Sequence, residues 1–260
     1  MRSPQTIATV VTVCVATAAM LRLSARATRS PLRVSSLPYV NSQARYQLWL
    51  AGVAVLTCFV VGTMHPQNLR VFFAVGDVHA PANGVPLLGI GPGESWRSVG
   101  MSLSVFATLA TTLVMFAPQR RPLRHIGRIL PYLPWVVLFA LCNSFAEELI
   151  YRLGVLVPLA GTVNPSVVTL LSAVLFGLPH MRGMPSGLVG ALMAGALGWL
   201  LARSVLETQG IAWAWGIHFL QDIPIYAAMI LHSVRPLDGP RPVSDATHRT
   251  PPITFTTTND

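Results

Sequence analysis

Six ionisable side chains lie inside segments that are otherwise apolar enough to cross a membrane. A charged group at that depth costs at least about 2.5–3.5 kcal/mol, so it is retained where it pairs, lines a water-filled cavity or does chemistry. Carboxylates and histidines together are the groups that carry acid–base or metal-assisted hydrolysis. We therefore predict an active site made of Glu147, Glu148, Arg152, His180, His218 and Asp222.

The spacing of these residues predicts how they pair. Glu148 and Arg152 are four residues apart, so on a helix they share one face and can form an ion pair. His218 and Asp222 have the same spacing, and we expect Asp222 to hold one ring nitrogen of His218 and fix its tautomer. Glu147 points about 100° away from Glu148 on a helix, which predicts different roles for the two carboxylates.

Taken singly, each of these groups has an ordinary structural explanation. A Glu–Arg pair in a membrane helix is often an internal clamp, and a histidine at a helix end, such as His180, is often interfacial. A rise of about 1.5 Å per helical residue nevertheless places Glu148, His180, His218 and Asp222 near a common depth. One acid pair, two histidines and an aspartate on three segments together favour a hydrolase.

Composition identifies the class of protein that must position these groups. Hydrophobic residues make up 52% and charged residues 10% of the 260 residues, whereas a soluble domain carries about 25% charged residues. The net charge of +9 comes from arginines in short clusters between apolar runs, which is typical of membrane topology signals and argues against a nucleic-acid partner. Cys14, Cys58 and Cys142 lie in apolar runs without ligand-like spacing, which argues against a disulfide framework or a thiolate metal site.

Seven apolar runs approach or exceed the length of about 20 residues that spans a hydrocarbon core. The predicted fold class is therefore all-α, a polytopic transmembrane bundle of about seven to eight helices. The count changes by one if the fourth run breaks near Pro134 or if one helix lies in the interface. The runs cover residues 7–23, 48–64, 99–117, 131–158, 165–179, 184–202 and 211–231.

The chain divides into three predicted parts. Residues 1–120 hold N-terminal transmembrane helices and loops, 121–234 form the catalytic helical core, and 235–260 are a disordered tail, because this Pro- and Thr-rich stretch has too few large apolar residues to bury a core. Arginines concentrate after the first and third segments, so those loops are expected in the cytoplasm. With seven crossings the N-terminus lies outside and the C-terminus in the cytoplasm. Residues 25–27 resemble a signal-peptidase site, but the arginines that follow the first run favour an uncleaved anchor.

Three motifs in the second half of the chain resemble those of the CPBP intramembrane proteases, which include the type II CAAX prenyl endopeptidases and bacteriocin-processing or self-immunity proteins. Phe145-Ala-Glu-Glu-Leu-Ile-Tyr-Arg152 resembles the motif Glu-Glu-x-x-x-Arg, and the stretch ending Phe-Gly-Leu-Pro-His180 resembles Phe-x-x-x-His. His218-Phe-Leu-Gln-Asp222 resembles His-x-x-x-Asn/Asp. The resemblance covers about residues 130–231.

The resemblance implies an endopeptidase that hydrolyses peptide bonds within or next to the membrane. By analogy, Glu148 or Glu147 would activate the attacking water, and Arg152 would hold the glutamate. His180, His218 and Asp222 would bind a metal, with zinc as the candidate cofactor, or in a metal-free version would stabilise the oxyanion. Asp222 stands where many relatives have Asn, and a second negative charge favours a bound cation.

Two other classes of function remain open for this sequence. One is a non-catalytic bacteriocin immunity or scaffold protein of the membrane, and the other is a proton- or ion-coupled transporter, against which stands the lack of a paired repeat of interrupted helices. The expected partners are the lipid bilayer and a peptide or protein substrate in the membrane, and the expected location is a bacterial cell membrane. Prenylated proteins, peptide maturation, bacteriocin processing and turnover of membrane segments are all open as substrate classes. Neither the substrate nor the oligomeric state follows from the sequence.

Overall fold

A computed structural model describes residues 32–117, 123–183 and 185–234, together with the isolated positions 8, 11 and 15. For residues 123–126 it describes the backbone alone. Apart from those isolated positions, the predicted first segment lies outside the described residues, as do the cleavage-like motif at 25–27 and the predicted disordered tail.

The described part of the chain is helical, as predicted. It contains no β-strand, and its extended contacts are two isolated antiparallel bridges, Pro81 with Ser95 and Val85 with Ile90. The α-helices are α1 (Pro38–Met64), α2 (Pro66–Phe72), α3 (Trp96–Phe116), α4 (Leu133–Glu148), α5 (Gly154–Leu159), α6 (Pro165–Gly177), α7 (Gly187–Thr208) and α8 (Ala212–Ser233). Short 3-10 segments cover Pro86–Leu88, Leu123–Tyr132 and Leu178–Arg182, and Leu149–Leu153 form a π-helical turn.

Four of the described helical spans are long and apolar enough to cross a membrane: Pro38–Met64, Trp96–Phe116, Gly127–Leu159 and Gly187–Thr208. The fifth predicted crossing is shorter than a full membrane span. Its helix α6 has 13 residues and rises about 20 Å before a 3-10 turn follows. Helix α8 has 22 residues and is not among the four spans. A polytopic helical bundle is thus confirmed, whereas the number of seven crossings stays a prediction.

Prolines mark the beginnings of two helices, α1 and α4. Helix α1 begins at Pro38, well before the apolar run at residue 48, because proline fits the first turn of a helix and the backbone bonds continue through polar residues. The longer helix brings Gln47 into the buried part of the bundle. The fourth run is not broken at Pro134, since this proline lies in the first turn of α4, where its missing N–H has no helical partner to lose.

Helix α8 is central to the arrangement because it packs against α3, α4 and α7. Helices α6 and α7 lie side by side through small residues, as is common between membrane helices. A Cβ added to Gly177 would lie 2.5 Å from the carbonyl oxygen of Ala191, and a Cβ at Gly198 would lie 2.9 Å from the Phe176 ring. These glycines let the two helices approach closely, which fixes the ring of Phe176 beside the candidate site.

The segment between α2 and α3 is folded against the junction of α7 and α8. The Asp77 N–H donates to the carbonyl of Thr208 (2.7 Å), and the Ile211 N–H donates to the carbonyl of Ala74 (2.9 Å). The carboxylate of Glu207 on α7 accepts hydrogen bonds from the Trp96 indole (2.9 Å) and the Asn83 backbone (3.0 Å). This segment therefore covers one end of the bundle.

Candidate active site

The backbone around the first motif changes helical type where its charged residues lie. Helix α4 ends at Glu148, and in the π-helical turn that follows the Gly154 N–H donates to the carbonyl of Leu149, five residues back. The carbonyl of Tyr151 in this turn accepts a hydrogen bond from the Ser172 hydroxyl of α6 (2.8 Å). π-Helical turns occur frequently at functional sites. Here the turn carries Arg152, whose side chain returns to Glu148 as predicted.

Glu148 is fully buried, and both of its carboxylate oxygens face cationic or donor groups. Oε2 lies 3.0 Å from Nε of Arg152, and Oε1 lies 2.8 Å from Nδ1 of His218. The guanidinium of Arg152, also fully buried, stacks over the Phe176 ring at 4.4 Å from its centroid. The contact of Oε2 with Nε does not have hydrogen-bond geometry, and Nη1 and Nη2 of Arg152 have no hydrogen-bond partner among the described residues, so charge and the Phe176 ring hold the pair. Glu148 is thus engaged on both sides.

The tautomer of His218 is set by Glu148 and not, as the spacing suggested, by Asp222. A carboxylate accepts hydrogen bonds, so the 2.8 Å contact requires that Nδ1–H of His218 donates to Glu148. Asp222 faces the other ring nitrogen, with Oδ1 at 3.7 Å from Nε2, which is too long for a direct hydrogen bond. The four-residue spacing predicted the proximity correctly, but the crossing of α4 and α8 brings a closer acceptor to Nδ1.

Glu147 lies on the same side of the imidazole as Asp222. Its Oε2 is 3.6 Å from Nε2 of His218, and the residue is slightly exposed where Glu148 is not. Two carboxylates and one ring nitrogen therefore surround a small polar space. Separations of this size are bridged by a water molecule or by a polar group of a ligand.

His180 reaches this cluster through an aromatic neighbour. Its Nδ1 lies 2.8 Å from the carbonyl oxygen of Phe176, to which Nδ1–H donates, so its Nε2 remains for other contacts. The Phe176 ring lies between the two histidines, with centroids 4.9 Å from that of His180 and 5.4 Å from that of His218. Five of the six predicted residues thus form one connected cluster, in which His218 lies beside Glu147, Glu148 and Asp222 and Arg152 pairs with Glu148, and His180 adjoins them across one ring.

Three polar residues near the cluster were missed by the sequence-based prediction. Asn143 on α4 donates through Nδ2 to Oδ2 of Asp222 (3.0 Å), and Gln47 on α1 donates through Nε2 to the Tyr226 hydroxyl (2.8 Å). A signal for two of them exists in the sequence, because Asn143 and Tyr226 lie four residues from Glu147 and Asp222, on the same helical faces. Nothing in the local sequence connects Gln47 with the site.

The side chains near the site can be compared with those that a zinc ion requires. No group of three or more His, Cys, Asp or Glu side chains is arranged to hold a metal ion in residues 32–117, 123–183 and 185–234. In the predicted ligand set, Nδ1 of His180 donates to a backbone carbonyl and Nδ1 of His218 donates to Glu148, which leaves Nε2 of each ring, as in the histidine ligands of metals. The two histidines are therefore compatible with a metal, although the described side chains are not gathered around a common point. Zinc remains a prediction for metal analysis to test.

Fold and site together define a class: a polytopic α-helical membrane protein with a buried cluster of acid, base and imidazole groups. Residues 129–224 match the family model described as Rce1-like, Type II CAAX prenyl endopeptidase. This match confirms the resemblance over a segment that contains all six candidate residues and covers less than half of the chain. No curated protein and no solved structure gives a significant match. At the level of the family, the match supports an intramembrane endopeptidase.

Proposed function

We propose that the protein is an intramembrane endopeptidase in which Glu147 is the general base. The observation that carries this choice is the difference between the two neighbouring carboxylates. Glu148 is fully buried, with Oε1 accepting from His218 and Oε2 lying 3.0 Å from Arg152, whereas Glu147 is slightly exposed and lies beside Nε2 of His218. A general base must have an oxygen free to accept a proton from the attacking water. Glu147 meets this requirement, and Glu148 serves to orient His218.

Hydrolysis in this arrangement begins with a water molecule between Glu147 and His218. Glu147 takes one proton from the water, and the water oxygen bonds to the carbonyl carbon of the scissile peptide. The tetrahedral intermediate carries a negative oxygen, and its C–N bond breaks when the proton held by Glu147 passes to the leaving amine. The products are one new carboxyl group and one new amine, so atoms and charges balance.

His218 supplies stabilisation for the negative oxygen. Its Nδ1–H is held by Glu148, so the ring is fixed with Nε2 towards the reaction space. The carboxylates of Glu147, Glu148 and Asp222, at 2.8–3.7 Å from ring nitrogens, balance the positive charge of an imidazolium whose Nε2–H can donate to the oxyanion. His180 uses its Nδ1–H for the carbonyl of Phe176 and so offers Nε2 as an acceptor for an N–H of the substrate backbone.

The membrane setting narrows the substrate to peptides that reach a buried site. The cluster lies between helices α4, α6 and α8 of a bundle that has several spans suited to a bilayer. We therefore propose cleavage of a bond within or close to the membrane, in a protein or peptide that is itself membrane-associated. The family description points to prenylated protein substrates as one class, and unmodified membrane peptides are the other.

The experiment is a cleavage assay with the purified full-length protein in detergent and in vesicles. A library of fluorogenic peptides, with and without a prenylated cysteine, is compared for wild type, Glu147→Gln, His218→Ala and the control Glu207→Gln, which changes a carboxylate outside the site. Cleavage is expected for wild type and the control and is lost in the two site variants. Equal cleavage by wild type and Glu147→Gln would refute the assignment of the base.

The same assay separates the remaining alternatives. A parallel series with a strong zinc chelator, and metal analysis of the purified protein, decides whether a metal takes part. A scaffold or immunity protein would show no cleavage and a phenotype unaffected by Glu147→Gln. A transporter would show a pH-dependent flux across vesicles that His218→Ala abolishes, with no cleavage of any peptide.

A further inference from the structure

A chain of buried polar side chains connects the site to a helix outside the family match. Asn143 donates to Asp222 through Nδ2 at 3.0 Å. The amide nitrogen of Gln47 lies 3.4 Å from Oδ1 of Asn143 and 2.8 Å from the Tyr226 hydroxyl. All four residues are buried, and they belong to three helices, α1, α4 and α8. Both contacts of Gln47 are made by its amide nitrogen, since its Oε1 has no hydrogen-bond partner among the described residues.

The direction of each hydrogen bond follows from the groups present. Asp222 accepts, so the NH2 group of Asn143 must face it, and Oδ1 of Asn143 must then face away from Asp222. Gln47 places its own NH2 group at that oxygen, which selects this orientation of the Asn143 amide over the flipped one.

We propose that Asn143, Gln47 and Tyr226 are positioning residues for Asp222, one of the two carboxylates that face Nε2 of His218. Asn143 fixes the side-chain rotation of Asp222, and Gln47 with Tyr226 fixes the orientation of Asn143. The proposal rests on the proposed endopeptidase function. Gln47 belongs to α1 and lies outside the matched residues 129–224. The proposal therefore gives α1 an indirect role in the reaction.

A positioning role predicts an effect on kcat rather than on KM, because these residues hold reacting groups and do not contact the substrate. Gln47→Met keeps the side-chain volume and removes the donor. Tyr226→Phe removes the hydroxyl that accepts from Gln47. Loss of one neutral hydrogen bond corresponds to about a three- to tenfold fall in rate, so we expect kcat to fall by this factor in each variant while KM is unchanged.

The experiment measures kcat, KM and melting temperature for the full chain in detergent with a cleaved peptide. Variants are Gln47→Met, Tyr226→Phe, Asn143→Leu and the double variant Gln47→Met with Asn143→Leu. Matched controls are Thr57→Val on α1 and Ser144→Ala on α4, which remove buried hydroxyls that bond to their own helices. The two controls are expected to keep kcat within about twofold, since their hydroxyls do not contact the site.

The double variant tests the connection itself. If Gln47 acts through Asn143, the effects on kcat are not additive, and the double variant is no slower than Asn143→Leu alone. The proposal is overturned if the two effects multiply, if KM changes instead of kcat, or if Tyr226→Phe and Gln47→Met leave kcat at the wild-type value. Should Gln47→Met fail to fold, Tyr226→Phe still decides, because it removes a single oxygen atom. Absence of cleavage by the wild type would instead refute the endopeptidase function.

Discussion

Two Glu–Arg ion pairs with four-residue spacing lie in this bundle and differ in what surrounds them. Arg203 and Glu207 pair near the end of α7 at 2.8 Å, and Glu207 also accepts hydrogen bonds from the indole of Trp96 and the backbone of Asn83. Arg203 in turn donates to the carbonyl of Asn83 at 2.6 Å. Glu148 and Arg152 pair at 3.0 Å but are fully buried and share their surroundings with His218.

The difference shows why spacing alone does not identify a site. In the Arg203–Glu207 pair the further partners are Asn83, in the segment between α2 and α3, and Trp96, the first residue of α3, so the pair fastens that segment to the bundle. In the Glu148–Arg152 pair the further partner is a titratable ring, and a second carboxylate, Glu147, remains beside the other nitrogen of that ring. The first arrangement stabilises a loop, and the second orients a group that can exchange protons.

The largest expected effect is the fall in cleavage rate on replacement of Glu147. Glu147→Gln removes the general base, so kcat for peptide cleavage should fall by about 10²–10⁴-fold. The melting temperature should change little, because the residue has no ion pair with an arginine to lose. Stopped and continuous cleavage assays measure the rate, and differential scanning fluorimetry in detergent measures stability. A rate near that of the wild type would return the role of base to Glu148.

The next effect concerns the buried pair. Arg152→Leu leaves Glu148 without its cation, and removal of one partner of a buried pair costs about 3–5 kcal/mol. We expect a large fall in thermal stability in detergent, together with loss of cleavage. The double variant Arg152→Leu with Glu148→Leu should recover a large part of the stability but none of the activity, because the orientation of His218 depends on Glu148. Equal stability of Arg152→Leu and wild type would contradict a structural role for this pair.

A change in the pair on α7 should lower stability but leave the rate of cleavage nearly unchanged. Glu207→Gln weakens hydrogen bonds to the Trp96 indole and the Asn83 backbone and is expected to cost about 1–2 kcal/mol, because the pair is partly exposed. Limited proteolysis should become faster between α2 and α3, while kcat stays within about twofold of wild type. A loss of activity as large as that of Glu147→Gln would remove the distinction between the two regions.

The smallest effect tests the π-helical turn that is found beside the buried pair. Ser172→Ala removes the hydroxyl that donates to the carbonyl of Tyr151 and should cost about 0.5–1.5 kcal/mol. The matched control is Ser204→Ala on α7, whose hydroxyl bonds within its own helix to Leu201, three residues back. Melting curves of both variants give the comparison. The control should be destabilised less, since its bond does not join two helices.

Much of the site could be predicted from the sequence because its residues follow helical periodicity. Charges in apolar runs predicted a shared site, and spacings of four placed Arg152 near Glu148 and Asp222 near His218, as found. The different surroundings of the two glutamates could not be predicted, since they depend on how α4 and α8 cross. The buried Gln47 could not be predicted either, because it lies far from the motifs in sequence and meets them only when α1 packs against α4.

The sequence by itself determined the membrane class, the helical fold and the identity of the candidate chemical groups, because hydropathy and side-chain type are local properties. The tertiary structure decided which acceptor holds Nδ1 of His218, which carboxylate is left beside Nε2, and how His180 adjoins the cluster through Phe176. It also decided which Glu–Arg pair faces a loop and which faces a histidine. These outcomes depend on distances between helices, and such distances are fixed by packing between residues far apart in the chain.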